Sequence, residues 1–323
     1  MAKIILTGAS GFLGRNLIEK LVQNNFEIIA VDVKKIDKTL IDKVTFFQMS
    51  IEEFLNKNIT ALDEADYIIH AASVLPYKGN KNEIESTNVN STKLLVEEVS
   101  KRNLFLVYVS SSGIYGKPDD IPVKTTTDFN PLDAYGKSKV RAEMYISNRL
   151  ELQNFVIVRP RTILGNKRGG IFNIFFKLIK KNIPIPLPNN GRQIIQFVHV
   201  DDVSNLIIHL IKNKIYGVWP AASPNPLSIN EYLDLLKDIL SKKKIFKINI
   251  NSKLFETLGR IILFTRATSF TKWHFGSFPY DFYFDENWLP SGFKYEKTSA
   301  FSFLECASET FKEVEFDLKK HVL

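Results

Sequence analysis

An octapeptide, Thr7-Gly8-Ala9-Ser10-Gly11-Phe12-Leu13-Gly14, joins a β-branched run at 3–7 to an amphipathic stretch that begins at Phe12. Three glycines at spacing three in that setting restrict what the chain can build. Gly8 permits a tight turn, Gly11 lets backbone N–H groups approach a pyrophosphate at a helix N-terminus, and Gly14 lets the helix lie close on the strand. A glycine-rich turn alone only punctuates a loop. The strand–turn–helix context, with the acidic Asp32 ending the next run about 20 residues on, makes it a dinucleotide loop. A carboxylate there accepts hydrogen bonds from a ribose diol and repels a 2′-phosphate, which favours NAD. Lys34 and Lys35, close by in sequence, keep NADP open.

Further β-branched runs at 27–32, 44–48, 66–70, 104–110 and 155–159 alternate with amphipathic stretches at 12–24, 83–102 and 134–150. Such alternation predicts parallel βαβ units, hence an α/β fold with a doubly wound parallel sheet. A chain of 323 residues suits that unit plus a smaller lobe. After Pro160 the pattern becomes irregular. Ile183-Pro184-Ile185-Pro186-Leu187-Pro188 is expected as a loop between lobes, because it cannot be a regular helix or a central strand. Residues 197–200, followed by Asp201 and Asp202, predict one more strand and a capped helix returning to the sheet. The expected dinucleotide-binding domain is therefore 1–165 with 193–215, and the expected discontinuous substrate lobe is 166–192 with 216–323. Helical patterns recur at 228–240 and 252–264.

A hydrophobic share of 45% with 24% charged residues belongs to a soluble globular protein and excludes a disordered or fibrous one. No apolar stretch nears the roughly 18 residues of a membrane span, and Met1-Ala2-Lys3 runs straight into the first strand, so a cytoplasmic address is expected. Cys306 is the sole cysteine, which rules out an intramolecular disulfide and a cysteine cluster for zinc; no metal is expected. The net charge of +8 is uneven: 14 Lys/Arg face 6 Asp/Glu between Lys180 and Lys272, and the remainder is balanced. That excess would draw an anionic small molecule or an anionic membrane surface, or simply solvate a lysine-rich face. The lysines lack interleaved aromatics, so nucleic acid is not an expected partner.

Two segments carry chemistry. Val109-Ser110-Ser111-Ser112-Gly113-Ile114-Tyr115-Gly116 ends a strand, and Ala134-Tyr135-Gly136-Lys137-Ser138-Lys139 begins a helix. Tyr135 and Lys139, four apart, share one helix face. A tyrosine ionises near pH 10 in water, so a base working at neutral pH needs its anion stabilised by about 4 kcal/mol. Lys139 and a positive nicotinamide ring together would supply that, while a serine hydroxyl would hold the substrate oxygen. The pattern is that of hydride exchange between an alcohol and a ketone. Alone, a Tyr-x-x-x-Lys pair is only a helix face and a serine run only a polar turn.

Taken together, TGASGFLG, the strand end from His70 to Ser73, NVNST from Asn88, VSSSGIYG, YGKSK, the Arg159-Pro160 segment and FVHVDDV resemble the extended short-chain dehydrogenase/reductase superfamily, the NAD-dependent epimerase/dehydratase family within it. The resemblance runs from residue 2 to about 210. It implies Tyr135 as general acid/base, Lys139 as its ribose-binding, pKa-lowering partner and Ser111 as the orienting hydroxyl. For the cofactor it implies Gly8, Gly11, Phe12, Leu13 and Gly14 at the pyrophosphate, Asp32 at the ribose, and Ser50 and Ile51 at the adenine. Ala71, Ala72, Asn88, Ser110 and Pro160 would lie along the rest. Ser112, Thr162 and Arg192 fall on the substrate side. His199 and Asp201 become structural, with Asp201 or Asp202 capping a helix. Relatives also dimerise through the helices that here hold 83–102 and 135–150.

Departures from that pattern narrow the expectation. Dehydratases of the family carry Thr-Asp-Glu where this chain has Ser111-Ser112-Gly113, so both carboxylates that eliminate water are missing. Epimerisation and simple oxidoreduction remain. Thr162 and Ile195 replace an Asn and an Arg usual in nucleotide-sugar enzymes; Arg161, Arg168 or Arg192 would have to clamp a diphosphate instead. The readings are an epimerase of a nucleotide sugar, an oxidoreductase of a hydroxy or keto compound such as a steroid or lipid-linked substrate, and a non-catalytic NAD sensor, against which Ser111, Tyr135 and Lys139 argue. Aromatics at 273–275 and 282–284 would line a pocket or fill a core. Leu254, Phe255, Leu258, Ile261 and Ile262 form an apolar stripe suited to packing or to peripheral contact with a membrane surface.

Overall fold

The computed structural model describes residues 1–75, 79–124, 126–166, 168, 172–264 and 272–322. The chain divides into two units: Met1–Ile114, Ala134–Arg159 and Val203–Trp219 form the first, and Tyr115–Asp133, Pro160–Asp202 and Pro220–Leu323 the second. Beside the division expected from the sequence, residues 115–133, 160–165 and 193–202 thus fall in the second unit.

The first unit is built on a seven-stranded sheet of β1 (Lys3–Thr7), β2 (Glu27–Asp32), β3 (Thr45–Gln48), β4 (Tyr67–His70), β5 (Phe105–Val109), β6 (Phe155–Pro160) and β7 (Gly217–Ala221), in the order β7-β6-β5-β4-β1-β2-β3. Five pairings run parallel, with Ile5 opposite Ile29 and Ile68. The near-continuous apolar runs of these strands follow from burial on both faces. Ile5, Ile29, Ile68, Leu106 and Ile157 lie in one buried cluster with Leu95, Val99, Ala142 and Ile146 from the flanking helices. Those helices are α2 (Ser91–Arg102) and α3 (Ala134–Arg149), which follow α1 (Phe12–Gln23) in the chain. The order reverses between β1 and β4, and the carboxyl ends of these two strands hold the glycine loop and Ala71-Ala72.

The helix expected over 83–102 is longer and contains a π-helical stretch, Ser86–Asn90, between Lys81–Glu85 and α2. A π turn shifts the helix register locally, and here Asn88 is buried. The seventh strand went unread because Gly217 and Pro220 break its pattern; at the sheet edge a proline leaves no ladder bond unmade.

The second unit has an aromatic core in which Phe172, Phe176, Phe197, Tyr232, Phe278 and Phe303 are buried. Two expectations are corrected here. Ile185–Pro188 is no loop but a strand, parallel to Lys247–Ile250; in a two-stranded pairing each proline N can face away from the partner. Phe197–His199 does not rejoin the main sheet but pairs with Thr162–Leu164. The helix Val200–Lys212 that follows does return to the first unit, where Ser204 donates to Asn16 at 2.7 Å. Neither Asp201 nor Asp202 caps it: both lie in its first turn, and His199 Nδ1 accepts the Asp201 N–H at 3.1 Å. Phe275, Phe282 and Phe284 are buried, as a core requires; the side chains at 272–274 lie outside the description. Buried Cys306 donates to the carbonyls of Gly165 and Arg168, and burial pushes its thiol up to about 12.

Gly14 is the tightest point of the first turn, since a Cβ there would lie 2.2 Å from the Gly8 carbonyl oxygen. Backbone cannot yield as a side chain tip can. Gly14→Ala is expected to destabilise the protein by about 2 kcal/mol or more, measured as a lowered urea midpoint; an unchanged midpoint would show that the loop can open without penalty.

Candidate active site

The glycine loop is pinned from three sides. Gly8 N–H donates to Val31 O at 3.0 Å, Gly11 N–H to Gly8 O at 3.0 Å, and Ser10 N–H to Asp32 Oδ2 at 3.0 Å. Asp32 Oδ1 takes the Lys34 N–H at 2.8 Å, so the carboxylate fixes both the loop and the turn after β2. Gly8 has a φ of +73°, which L side chains rarely adopt, and its Cβ would lie 2.6 Å from Ala72 N. Loop and β4 end are therefore in close approach. Gly11, which precedes α1, offers no side-chain cap, and no acidic residue occupies the first turn, which suits the positive end of the helix to an anion. Lys34 and Lys35 are exposed. Ser50 Oγ accepts the Glu53 N–H at 3.0 Å and caps the helix Ile51–Lys57; its hydrogen is still there to donate.

A chain of buried hydrogen bonds links this loop to α3. Thr7 Oγ1 accepts the Ala72 N–H at 3.4 Å and contacts His70 Nδ1 at 2.7 Å; His70 Nε2 contacts Thr92 Oγ1 at 2.9 Å. Thr92 spends its own hydrogen on Asn88 O at 2.9 Å, so His70 must carry its proton on Nε2 and accept from Thr7 at Nδ1. Burial, with the Lys139 charge adding to it, lowers the imidazole to about 3 and keeps it neutral. Asn88 then divides its amide: Oδ1 takes Val74 N–H at 2.7 Å and Ser73 Oγ at 3.3 Å, and Nδ2 gives to Val74 O at 3.0 Å and Ser138 Oγ at 3.1 Å. Ser138 Oγ donates to the Tyr135 carbonyl at 2.7 Å.

On α3, Tyr135, Lys139 and Glu143 follow at one-turn intervals. Lys139 is 1% exposed and its Nζ donates to Val109 O, at the end of β5, at 2.8 Å. The ammonium lies 5.9 Å from the Tyr135 ring centroid and 4.7 Å from that of Tyr108. Burial lowers Lys139 from 10.5 to about 7, against the pull of the Glu143 charge. Glu143, buried in turn, accepts from Ser110 Oγ and pairs with Arg159, whose Nη2 reaches Oε2 at 2.6 Å. Ser111 follows Ser110 at the end of the same strand; its Oγ accepts the Gly113 N–H at 3.0 Å and keeps a hydrogen to give. Ser112 is buried and Tyr135 half-buried.

The first unit thus gathers the glycine loop, Asp32, Ala71, Ala72, Ser111, Tyr135 and Lys139 at the carboxyl edge of one sheet. Asn88 and Ser110 are there too, but their side chains are committed to internal bonds. Pro160, Thr162 and Arg192 belong to the second unit: Pro160 is buried, Thr162 lies on a strand half-buried, and Arg192 is exposed after the turn Asn189–Gly191. Arg161, buried there, lies 4.0 Å over the Phe282 ring, and burial lowers it to about 9. The sequence reading missed Thr7, Thr92, Glu143 and Arg159 as site-building residues; polar residues at strand and helix positions meant for the core were the available signal. No group of three His, Cys, Asp or Glu suited to a metal occurs among the described residues.

Such a sheet edge, with a Tyr and a Lys one turn apart beside a strand-end serine, defines a short-chain dehydrogenase/reductase of the extended type. The chain belongs to the NAD dependent epimerase/dehydratase family, whose profile matches residues 4–219. A Methanocaldococcus jannaschii protein provisionally named UDP-glucose 4-epimerase is 29% identical over 79% of this chain and 92% of its own. A dTDP-4-dehydrorhamnose reductase of Aggregatibacter actinomycetemcomitans is 31% identical over 67% and 70%. The fold is shared with a UDP-glucuronic acid 4-epimerase from Bacillus cereus crystallised with NAD, with a TM-score of 0.71 at 20% identity, covering 96% of this chain and 99% of that one.

Lys139 ties stability to pH. Its folded pKa lies below its unfolded one, so between about 7 and 10.5 the unfolded state binds more protons and this group makes the fold more stable as pH rises. Below about 7 the penalty for burying its charge is fully present. Lys139→Met is expected to melt above the wild type near neutral pH, the gap closing towards pH 10.5; a gap that does not vary with pH would refute the buried charge.

Proposed function

We propose that this chain is an NAD-dependent epimerase of a nucleotide sugar. The observation that carries the reading is the placement of Tyr135, buried Lys139 and Ser111 on the same sheet edge as the glycine loop and Asp32. The residues fit a dinucleotide: the close approach at Gly8 excludes a side chain, and each Asp32 oxygen, bonded to one backbone N–H, retains a lone pair for a ribose hydroxyl. Gly8, Gly11, Phe12, Leu13 and Gly14 would hold the pyrophosphate, Asp32 the ribose, Ser50 and Ile51 the adenine, Ala71 and Ala72 the middle, with Pro160 beyond. Bound NAD supplies a hydride acceptor that can return what it takes. Tyr135 would take the proton from the substrate hydroxyl and later give a proton back to the same oxygen, so that the substrate leaves as an isomer with no net proton lost. Lys139 stabilises the Tyr135 anion, and Ser111 donates to the same substrate oxygen. Asn88 and Ser110 act by holding these groups in place.

The relatives named as UDP-sugar epimerases support the substrate class, with Ser112, Thr162 and Arg192 as the substrate contacts. A net oxidoreductase is favoured by a different observation: the position usual for a diphosphate-binding arginine is Ile195, buried and paired with Leu227. The related reductase points the same way. Incubation with UDP-, GDP- and dTDP-sugars is expected to yield isomers without net NADH; inertness across the panel would remove the epimerase, and stoichiometric NADH formation would establish the oxidoreductase. Tyr135→Phe is expected to lose at least about 100-fold in turnover while binding NAD unchanged, as followed by calorimetry; an unaltered rate would displace Tyr135 from its role.

The same reading places the enzyme in the cytoplasm as a homodimer. Supporting the dimer, α2 and α3 expose Leu94 and Met144. Leu94→Glu with Met144→Glu is expected to give a monomer in light scattering. A dimer that withstands both changes would place the interface elsewhere.

A further inference from the structure

In the second unit, the strand pair Ile185–Pro188 with Lys247–Ile250 leads directly into the helix Ser252–Phe264. Three of the four residues of the strand Lys247–Ile250 are exposed. Phe246 and Ile248, two apart, share a face of it and are both exposed. Ile185 N–H donates to Phe246 O at 2.9 Å and Lys242 Nζ to Asn182 Oδ1 at 2.7 Å, which brings exposed Ile183 beside them. Ser252 Oγ donates to Asn189 Oδ1 at 2.9 Å and seats the helix start against the far end of the same pair.

That helix has two apolar sides. Phe255 enters the core, and Gly259 lies so near Phe275 that a Cβ would stand 2.1 Å from its ring, so this side is the packed one. Leu254, Leu258 and Ile261, at i, i+4 and i+7, make the other side and are 51%, 40% and 60% exposed. Single exposed apolar residues are ordinary, whereas six on consecutive elements mark a surface made to be covered.

Charge selects what covers it. Residues 240–264 hold six Lys/Arg and one acid, Glu256, whose carboxylate is taken by the Tyr280 hydroxyl at 2.9 Å. Lys243, Lys244 and Lys253 are exposed, and Lys244 Nζ lies 5.6 Å from the Phe246 ring centroid. A second copy would bring an equally basic face against this one. An anionic bilayer offers the complement: acyl chains for a shallow aliphatic stripe and phosphates for flexible lysines on its flanks.

We propose that this face docks the protein on an anionic lipid surface, Leu254, Leu258 and Ile261 entering the acyl boundary while Lys243, Lys244 and Lys253 meet the headgroups. The contact is peripheral, since no helix among the described residues is long and apolar enough to cross a membrane. It is independent of the sugar substrate. Flotation of the full chain with vesicles tests it: binding is expected to phosphatidylcholine vesicles containing phosphatidylglycerol, not to phosphatidylcholine alone, and to weaken with salt. Lys243→Glu, Lys244→Glu and Lys253→Glu together should lower partitioning by about 100-fold or more, and Leu254→Ser, Leu258→Ser and Ile261→Ser together should also release the protein. Both variants change exposed positions, so both should melt as the wild type does. Absence of binding to the anionic vesicles, or binding that survives either triple change, would overturn the proposal. So would a dimer abolished by the apolar triple change without any vesicle binding, which would assign the face to a second copy.

Discussion

Between the glycine loop and the helix that carries Tyr135 runs an unbroken file of buried polar groups, from Ala72 through Thr7, His70, Thr92, Asn88 and Ser138 to the Tyr135 carbonyl. Each donor in it meets an acceptor, and that completeness gives it force: a buried polar group left unmatched costs about 1–3 kcal/mol, so a shift of α3 against β1 or β4 would break several bonds together. Burial at 0% exposure, with the Lys139 charge adding to it, keeps His70 neutral, so that Nδ1 accepts from Thr7. The π-helical stretch belongs to the same design, because it is the element that carries Asn88 at the junction of loop and helix.

Beneath the reactive face lies a second device, a buried charge pair. Glu143 and Arg159 neutralise each other, and Ser110 completes the carboxylate. Such a pair is weak support for stability as a whole, but removing one member strands the other, at about 3–5 kcal/mol. Its position matters more than its energy. Glu143 is one turn beyond Lys139, so its charge opposes the loss of the Lys139 proton that burial favours. The second unit solves a similar problem with His199: Nδ1 accepts from Asp201 N–H and from Lys297 at 2.9 Å, and Nε2 donates to Glu305 at 2.8 Å. These groups organise the turn into the helix Val200–Lys212.

Most of the first unit was legible in the chain. Strands at 3–7 and 27–32 appear with those bounds, and 12–24 and 134–150 differ from the helices by a residue at one end. Glycine spacing, Asp32 and the Tyr-Lys interval were likewise readable, because each is a local pattern. Less legible were β7, where glycine and proline hide an edge strand, and Ile185–Pro188, where prolines suggested a loop although a two-stranded pairing tolerates them. His70 was visible as part of a motif, yet its partners lie 63 and 22 residues away in sequence and leave no spacing to detect.

By itself the sequence determined the parallel sheet, the loop at its carboxyl edge and the face shared by Tyr135 and Lys139, since each follows from periodicity or from a residue's own conformational freedom. Tertiary structure decided the rest. It alone chose which strand Phe197–His199 would join, committed Asn88 and Ser110 to internal bonds, set Glu143 against Arg159, and put Phe255 on a packed side and Leu254, Leu258 and Ile261 on an exposed one. The reason is the same in each case: burial and pairing are properties of groups distant along the chain, and a side chain acquires its protonation, its partner and its exposure only when the fold brings those groups together.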